Sequence, residues 1–175
     1  MEGLTMNALG GNIVLGVAVL GVAVAYAALG LGSVVMNGTS SLPHNGYFML
    51  RIANVHPKGS YVAFEAPSIV ADEFKSLSFV KRVVGIEGDQ IAVDGDEVCV
   101  DGQCRVLLDA LTIKGFAPLE AGFVPRGRVA VFGDAPNSLD SRYAAVGLIA
   151  EDHIQAVGWP VPVPNWKVVR AWLDQ

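Results

Sequence analysis

Two kinds of side chain in this sequence could together perform nucleophilic chemistry: a serine hydroxyl and a lysine amine. A serine hydroxyl becomes an effective nucleophile only when a nearby base removes its proton. A lysine can be that base when it is neutral, and burial favours the neutral amine by lowering its pKa. Candidate serines lie in segments 39–43 and 137–143, and the candidate lysine lies in segment 79–85. The residue types therefore predict a serine nucleophile with a lysine base.

Lys81 has the sequence context of a buried lysine. Four of its neighbours in the chain are apolar, namely Phe79, Val80, Val83 and Val84. Each unit by which burial lowers its pKa corresponds to a cost of about 1.4 kcal/mol for the charged form. The alternative is a solvent-facing lysine on a strand. Arg82 would point to the opposite face of that strand and cannot act as a base near neutral pH.

The segment 39–43, which contains Ser41, is favoured over the other serines as the source of the nucleophile. Ser41 lies in a polar cluster that follows a long apolar segment, and Pro43 restricts the backbone just beyond it. The hydroxyl of Thr39, two residues earlier, could help to stabilise an oxyanion beside the N–H of Ser41. The alternative, which these residues alone favour, is that the cluster caps a helix end or forms a turn.

Other chemistries find less support. The three histidines are scattered, and none accompanies a Gly-x-Ser-x-Gly motif. No spacing of His, Cys, Asp and Glu resembles a metal site, so we expect neither a metal nor another cofactor. The net charge is -5 and no block of Lys or Arg occurs, so a nucleic-acid partner is not expected.

An apolar segment near the N-terminus predicts a membrane anchor. Hydrophobic residues make up 52% of the chain, and no Asp, Glu, Lys or Arg lies in segment 3–50. Residues 13–36 would form a helix of about 36 Å, enough to cross a hydrocarbon core of about 30 Å. We therefore expect a polar tail at 1–12, a transmembrane helix in contact with lipid at 13–36, and a globular domain at 37–175. The alternative is a cleavable signal peptide, because residues 25–27 resemble a small-residue cleavage site.

The two cysteines flank a hairpin signal. Asp101-Gly102 is typical of a two-residue type I′ turn, and this register places Cys99 opposite Cys104 at a non-hydrogen-bonded pair. Cα atoms at such a pair lie about 4.5 Å apart, within the range that a disulfide spans. A disulfide would indicate an oxidising compartment, and a pair of reduced thiols is the alternative.

The remaining sequence is typical of short strands separated by turns. Apolar runs end at Gly, Pro or Asp, as in segments 47–52, 61–64, 78–86, 90–93 and 128–132. This pattern predicts a mainly β domain. Segments 66–77 and 107–121 could hold short helices.

Three segments, taken in order, resemble the sequence boxes of the signal peptidase I superfamily, and most closely its TraF-type conjugative transfer peptidases. The first is similar to the nucleophile box of that branch and contains Asn37, Thr39, Ser41, Pro43 and Tyr47. The second, at 81–89, resembles the lysine box. The third, at 125–142, resembles the C-terminal box and ends in the run Asn-Ser-Leu-Asp-Ser-Arg, the most specific part of the match.

This resemblance implies a role for each candidate residue. Ser41 would be the nucleophile, Lys81 the general base and Asp140 the third essential residue. Thr39 would match the oxyanion-hole hydroxyl, and Ser138 would match the serine that orients the lysine.

The same resemblance implies the fold and the location. The fold would be a transmembrane helix followed by a coiled, mainly β catalytic domain with a small inserted subdomain at about 87–127. Arg142 would support the site by pairing with Asp140. The domain would lie on the periplasmic side of the bacterial inner membrane, which agrees with the cysteine argument.

The implied activity is that of a membrane-anchored Ser–Lys endopeptidase that cuts an extended peptide after small residues. Its substrate would be a secreted precursor such as a conjugative pilin, and some TraF-type peptidases join the ends of the pilin into a circle. One alternative is a general signal peptidase I that processes many exported proteins. Another is a non-catalytic, membrane-anchored component of a conjugative transfer apparatus.

Overall fold

The computed structural model describes residues 21–22, 24–25, 29–36, 41–52, 56–67, 78–112 and 114–161. The chain divides into two compact units, residues 1–33 and residues 34–175. In the first unit, residues 21–22 and 24–25 are helical.

Eleven strands lie within the described residues. In chain order they are β1 Gly32–Met36, β2 Gly46–Leu50, β3 Tyr61–Glu65, β4 Ser78–Gly85, β5 Gln90–Asp94, β6 Glu97–Val100, β7 Gln103–Val106, β8 Gly122–Phe123, β9 Arg128–Phe132, β10 Ile149–Ala150 and β11 Ile154–Val161. A single helical turn, Asp109–Thr112, and a 3-10 turn, Glu151–His153, are the helical elements described after β7. The prediction of a mainly β domain is confirmed.

The larger sheet has seven strands in the order β1-β2-β11-β3-β4-β9-β10. The pairings from β2 to β10 are antiparallel. The last strand, β11, lies between β2 and β3, so the C-terminal strand pairs with two strands that come early in the chain. Tyr61 of β3 pairs with Arg82 of β4, and Val62 pairs with Lys81. This register places the candidate lysine on an inner strand, paired with β3.

The smaller sheet has four antiparallel strands in the order β7-β6-β5-β8. All four strands come from the segment between β4 and β9. The turn between β6 and β7 consists of Asp101 with φ 47° and Gly102 with φ 74°. Two successive residues with positive φ are the signature of a type I′ turn, which matches the twist of a hairpin.

The two sheets share a hydrophobic core. The buried cluster that joins them consists of Val84, Ile91, Val98, Val100, Leu107, Leu119, Val124, Ala130, Phe132 and Tyr143. The end of β4 shows how closely they approach, because a Cβ added at Gly85 would overlap Cγ1 of Val100. A side chain at position 85 would therefore push the smaller sheet away from β4.

The structure differs from the sequence prediction at the end of the proposed membrane anchor. Gly32–Met36 form strand β1, although these residues were expected to complete the helix at 13–36. The adjacent β-branched residues Val34 and Val35 suit a strand. Among the residues described, no helix is long and apolar enough to span a bilayer. Residues 13–20, 23 and 26–28 of the predicted anchor lie outside the described part of the chain.

Candidate active site

Lys81 lies on β4 and is buried, with 5% of its surface exposed. Its Nζ donates a hydrogen bond of 2.9 Å to Oγ of Ser138. Burial lowers the pKa of Lys81 to about 8. The carboxylates of Asp140 and Asp134 oppose this shift, and the guanidinium of Arg142 adds to it. The amine is thus held in a position and a protonation range that suit a general base.

Ser41 and Ser138 meet at a loop formed by residues 133–138, which we call the catalytic loop. The carbonyl of Ser41 accepts hydrogen bonds from the N–H of Asp134 at 2.8 Å and of Ala135 at 3.4 Å. A Cβ added at Gly133 would overlap the side chain of Ser138 and lie 3.1 Å from the carbonyl oxygen of Ser41. The backbone of Ser41 and the hydroxyl that binds Lys81 therefore both lie against the same side of Gly133.

Asp140 and Arg142 form a fully buried ion pair. Nε of Arg142 lies 2.8 Å from Oδ1 of Asp140, and Nη2 lies 2.9 Å from Oδ2. Oδ2 also accepts a hydrogen bond of 2.8 Å from the N–H of Gly133. The carboxylate thus fixes the first residue of the catalytic loop, while the bidentate guanidinium supplies the countercharge that a buried carboxylate requires.

The guanidinium of Arg142 also binds three carbonyl groups. Nη1 donates to Pro136 at 2.9 Å and to Val106 at 3.0 Å, and Nη2 donates to Ala135 at 3.4 Å. Pro136 and Ala135 belong to the catalytic loop, whereas Val106 ends β7 of the smaller sheet. Arg142 therefore connects the catalytic loop to the smaller sheet.

A second charged cluster surrounds Asp134. Nη2 of Arg82 lies 3.1 Å from Oδ1 of Asp134, and Nη2 of Arg105 lies 3.6 Å from the same oxygen. Arg82 follows Lys81 on β4 and points to the opposite face, as the alternation of a strand predicts. Its side chain helps to hold the catalytic loop and does not act on the proton of Lys81.

Two buried tyrosines, Tyr47 and Tyr61, belong to the same hydrophobic cluster as Leu42, the residue after Ser41. The rings of Tyr47 and Tyr61 are 4.6 Å apart, and the hydroxyl of Tyr47 accepts a hydrogen bond of 3.2 Å from the N–H of His44. Burial raises the pKa of Tyr47 to about 12, so the hydroxyl is neutral at ordinary pH. Sequence reasoning placed Tyr47 in the nucleophile box without a role and missed Tyr61.

Ser141 is another buried group that sequence reasoning left without a role. Its Oγ donates to the carbonyl of Gly147 at 2.7 Å and accepts from the N–H of Val131 at 3.0 Å. It thereby fastens the segment after the catalytic loop to β9. The only signal for it in the sequence was its place inside the Ser-Leu-Asp-Ser-Arg run.

The structure brings most of the predicted site residues together. Lys81 contacts Ser138, Asp140 pairs with Arg142, and the backbone of Ser41 joins the same loop. Thr39 lies outside the described residues. The pairing of the Ser41 hydroxyl with the Lys81 amine stays a prediction.

Cys99 and Cys104 are joined by a disulfide bond, with their Cα atoms 3.9 Å apart. They lie directly opposite each other in the pairing of β6 with β7. The bond is located on the smaller sheet, one residue before Arg105 and two residues before Val106. The disulfide therefore links β6 to β7, the strand that contacts the catalytic loop.

Comparison with known families identifies the class of protein. The model of the family described as signal peptidase, peptidase S26, matches residues 9–159. The chain therefore belongs to the signal peptidase family S26. Membership implies serine hydrolase activity toward a peptide or protein substrate, and members of this family are typically membrane-associated.

A solved structure similar to this chain is that of a signal peptidase I from Enterococcus faecalis. It is 20% identical in sequence, the alignment covers 61% of this chain and 98% of that one, and the TM-score is 0.38. That score is too low to support an argument about shared details. No curated protein matches the chain.

Proposed function

We propose that this chain is a membrane-anchored endopeptidase in which Ser41 is the nucleophile and Lys81 is the general base. The observation that carries the proposal is the position of Lys81. Its amine is buried, has its pKa lowered to about 8, and binds a catalytic-loop serine. The same loop binds the backbone of Ser41. Burying a lysine is costly to the fold, so a buried lysine with a lowered pKa is a candidate for a functional group.

The proposed reaction begins when neutral Lys81 takes the proton of the Ser41 hydroxyl. Oγ attacks the substrate carbonyl, and the N–H of Ser41 with the hydroxyl of Thr39 stabilises the resulting oxyanion. The C–N bond then breaks, and the leaving amine takes the proton from Lys81. Water attacks the acyl-enzyme, gives one proton to Lys81 and releases the acid product. That proton returns to Ser41.

In this scheme Ser138 and Asp140 orient the reacting groups. The hydrogen bond from Lys81 to Ser138 restricts a side chain that otherwise has several rotatable bonds. Asp140 holds Gly133, which lies against both Ser138 and the Ser41 carbonyl. Small errors in the placement of these groups slow the reaction strongly, since a shift of about 1 Å can lower a rate about a hundredfold.

The structure suggests how an extended substrate would bind. Residues 78–81 of β4 pair with β3 on one side, whereas the described pairing of β4 with β9 begins at Arg82. A peptide in an extended conformation could add to the other edge of residues 78–81 by backbone hydrogen bonds. Its scissile carbonyl would then lie close to Lys81.

We infer that the substrate is a secreted precursor, with a conjugative pilin as the leading candidate. The support is the resemblance of the three boxes to TraF-type peptidases. The disulfide favours an oxidising compartment, and the uncharged segment 3–50 favours a membrane anchor. We therefore place the catalytic domain on the periplasmic side of the bacterial inner membrane.

Co-expression with a candidate pilin precursor tests the proposal. Mass spectrometry of the pilin should show a cleaved product, linear or circular, with the wild-type chain and only uncut precursor with Ser41→Ala. Ser40→Ala is the matched control and should leave processing intact. Processing by Ser41→Ala would refute the assignment of the nucleophile. Cleavage of many unrelated precursors would instead indicate a general signal peptidase.

A further inference from the structure

The smaller sheet contacts the candidate active site through one strand, β7. Gln103 accepts a hydrogen bond of 3.2 Å from Nη1 of Arg82, and the carbonyl of Val106 accepts from Arg142 at 3.0 Å. In both contacts an arginine outside the smaller sheet donates and β7 supplies the acceptor. Arg105 lies between Gln103 and Val106 on β7 and does the opposite, because it supplies a cation to the catalytic loop.

Arg105 reaches the catalytic loop at two adjacent groups. Its Nε donates to the carbonyl of Gly133 at 3.5 Å, and its Nη2 lies 3.6 Å from Oδ1 of Asp134. Two further contacts restrain the guanidinium. Nη1 donates to the carbonyl of Cys104 at 2.8 Å, and the group lies 5.8 Å from the ring centroid of Phe132. The side chain is only 27% exposed, so solvent screens these contacts incompletely.

We propose that Arg105 is a positioning residue of the active site, supplied by the smaller sheet. This inference rests on the proposed function. Arg105 binds the carbonyl of the peptide unit between Gly133 and Asp134, and the N–H of that same unit binds the carbonyl of Ser41. Its effect on the reaction is therefore transmitted through the placement of Ser41 and Lys81.

The bonding of Gly133 explains why Arg105 should matter. The N–H of Gly133 donates to Asp140, and its carbonyl accepts from Arg105. With both contacts present, the residue is held from two directions. Without Arg105, the N–H of Gly133 stays bound to Asp140, while the peptide unit that follows loses the contact at its carbonyl and keeps the bond from the N–H of Asp134 to Ser41. A turn of that peptide unit would move the N–H of Asp134 and, through it, the carbonyl of Ser41.

Arg105 also affects the charge that Lys81 experiences. The charged groups that act on Lys81 are Asp140, Arg142 and Asp134, and the two carboxylates raise its pKa. Asp134 is neutralised in part by Arg82 and in part by Arg105. When the Arg105 cation is removed, the negative charge of Asp134 is less compensated. Lys81 should then keep its proton to a higher pH.

The test compares three variants of the full chain in detergent micelles: Arg105→Gln, Arg105→Lys and Arg126→Gln. Arg126 is an exposed residue outside the site, so its substitution controls for the loss of one positive charge. The activity probe is an internally quenched peptide with an Ala-x-Ala sequence. We expect Arg105→Gln to lower kcat about tenfold with little change in KM, and Arg126→Gln to behave as wild type.

A second readout does not depend on cleavage. In protein labelled with ¹³C-lysine, the NMR titration of Lys81 should move upward by about 0.3 pH unit in Arg105→Gln. Arg105→Lys retains the charge and should restore the titration of wild type. A role limited to general stability would lower the melting temperature without moving this titration.

The outcomes separate the inference from the proposed function. An Arg105→Gln variant with wild-type kcat and an unchanged Lys81 titration overturns the inference. Equal losses in Arg105→Gln and Arg126→Gln overturn it as well, because they indicate a general charge effect. If wild type and Ser41→Ala both fail to cut peptide and precursor, the proposed function fails. The lysine titration then still decides whether Arg105 positions the site.

Discussion

Replacing Lys81 by methionine should stabilise the fold while abolishing activity. Burial lowers the pKa of Lys81 from 10.5 to about 8. Holding the charged amine in the folded chain at pH 7 therefore costs about 3 kcal/mol. Methionine has a similar volume and no charge. Its gain is offset by the lost hydrogen bond to Ser138, worth about 1 kcal/mol. We expect a net stabilisation of about 2 kcal/mol at pH 7.

The pH dependence of this effect follows from the direction of the shift. Because the folded-state pKa of Lys81 lies below the unfolded-state value, the unfolded chain binds more protons between about pH 8 and pH 10.5. The stability of the wild type therefore rises with pH through that window. Below pH 8 both states carry the proton and the penalty is constant. The advantage of Lys81→Met should accordingly be largest below pH 8 and should shrink toward pH 10.5.

Urea unfolding of the full chain in detergent micelles, followed by tryptophan fluorescence, measures this difference. Titrations at pH 7 and pH 10 would compare wild type, Lys81→Met and the control Lys114→Met, whose lysine is exposed. The control should show no comparable stabilisation at either pH. A Lys81→Met variant that is less stable than wild type at pH 7 would refute the reasoning. So would an advantage that stays constant as the pH rises.

Three further predictions concern the same site. Between pH 7 and pH 9 the neutral fraction of Lys81 rises from about 10% to about 90%, so kcat/KM for the quenched peptide should rise about ninefold. Lys81→Arg should be inactive at both pH values, because arginine stays protonated. Turnover by that variant would contradict a lysine base. Asp140→Asn leaves the guanidinium of Arg142 buried without a countercharge and should cost about 3–5 kcal/mol in urea unfolding; a loss below about 1 kcal/mol would show that the ion pair is not structural. Gly133→Ala forces a Cβ into the side chain of Ser138 and should lower kcat at least tenfold. The same peptide measures this beside an Ala121→Gly control, an exposed position outside the site.

Strand positions were predictable from the sequence wherever local signals were strong. The predicted strand at 128–132 is β9 as observed. The predicted segment at 78–86 differs from β4 by one residue. Both contain runs of β-branched residues bounded by turn residues. The Asp-Gly hairpin signal likewise fixed the register that places Cys99 opposite Cys104.

A short helix was predicted within segment 107–121, and the residues described there form one helical turn, Asp109–Thr112. Its shortness has a local reason. Gly115 follows with φ 87°, a conformation that ends a helix. Pro118 lies three residues further on and prevents the helix from resuming.

The order of the strands and the groups around Asp134 could not be predicted in the same way. The insertion of β11 between β2 and β3 depends on pairings across about 100 residues, and no local pattern encodes them. Arg105 gave no signal because its partner Asp134 lies about 30 residues away, in the catalytic loop. The burial of Lys81 was predictable, since its own neighbours in the chain are apolar.

The hydrogen bonding of Arg142 has a consequence for how the molecule is made. Its guanidinium has five N–H groups, and these make five hydrogen bonds, two to Asp140 and three to carbonyl groups. One of those carbonyls belongs to Val106, at the end of the smaller sheet. A newly synthesised chain can complete this set only after its middle third has folded against its C-terminal third. A chain that is still being synthesised on the ribosome therefore lacks a correctly shaped catalytic loop.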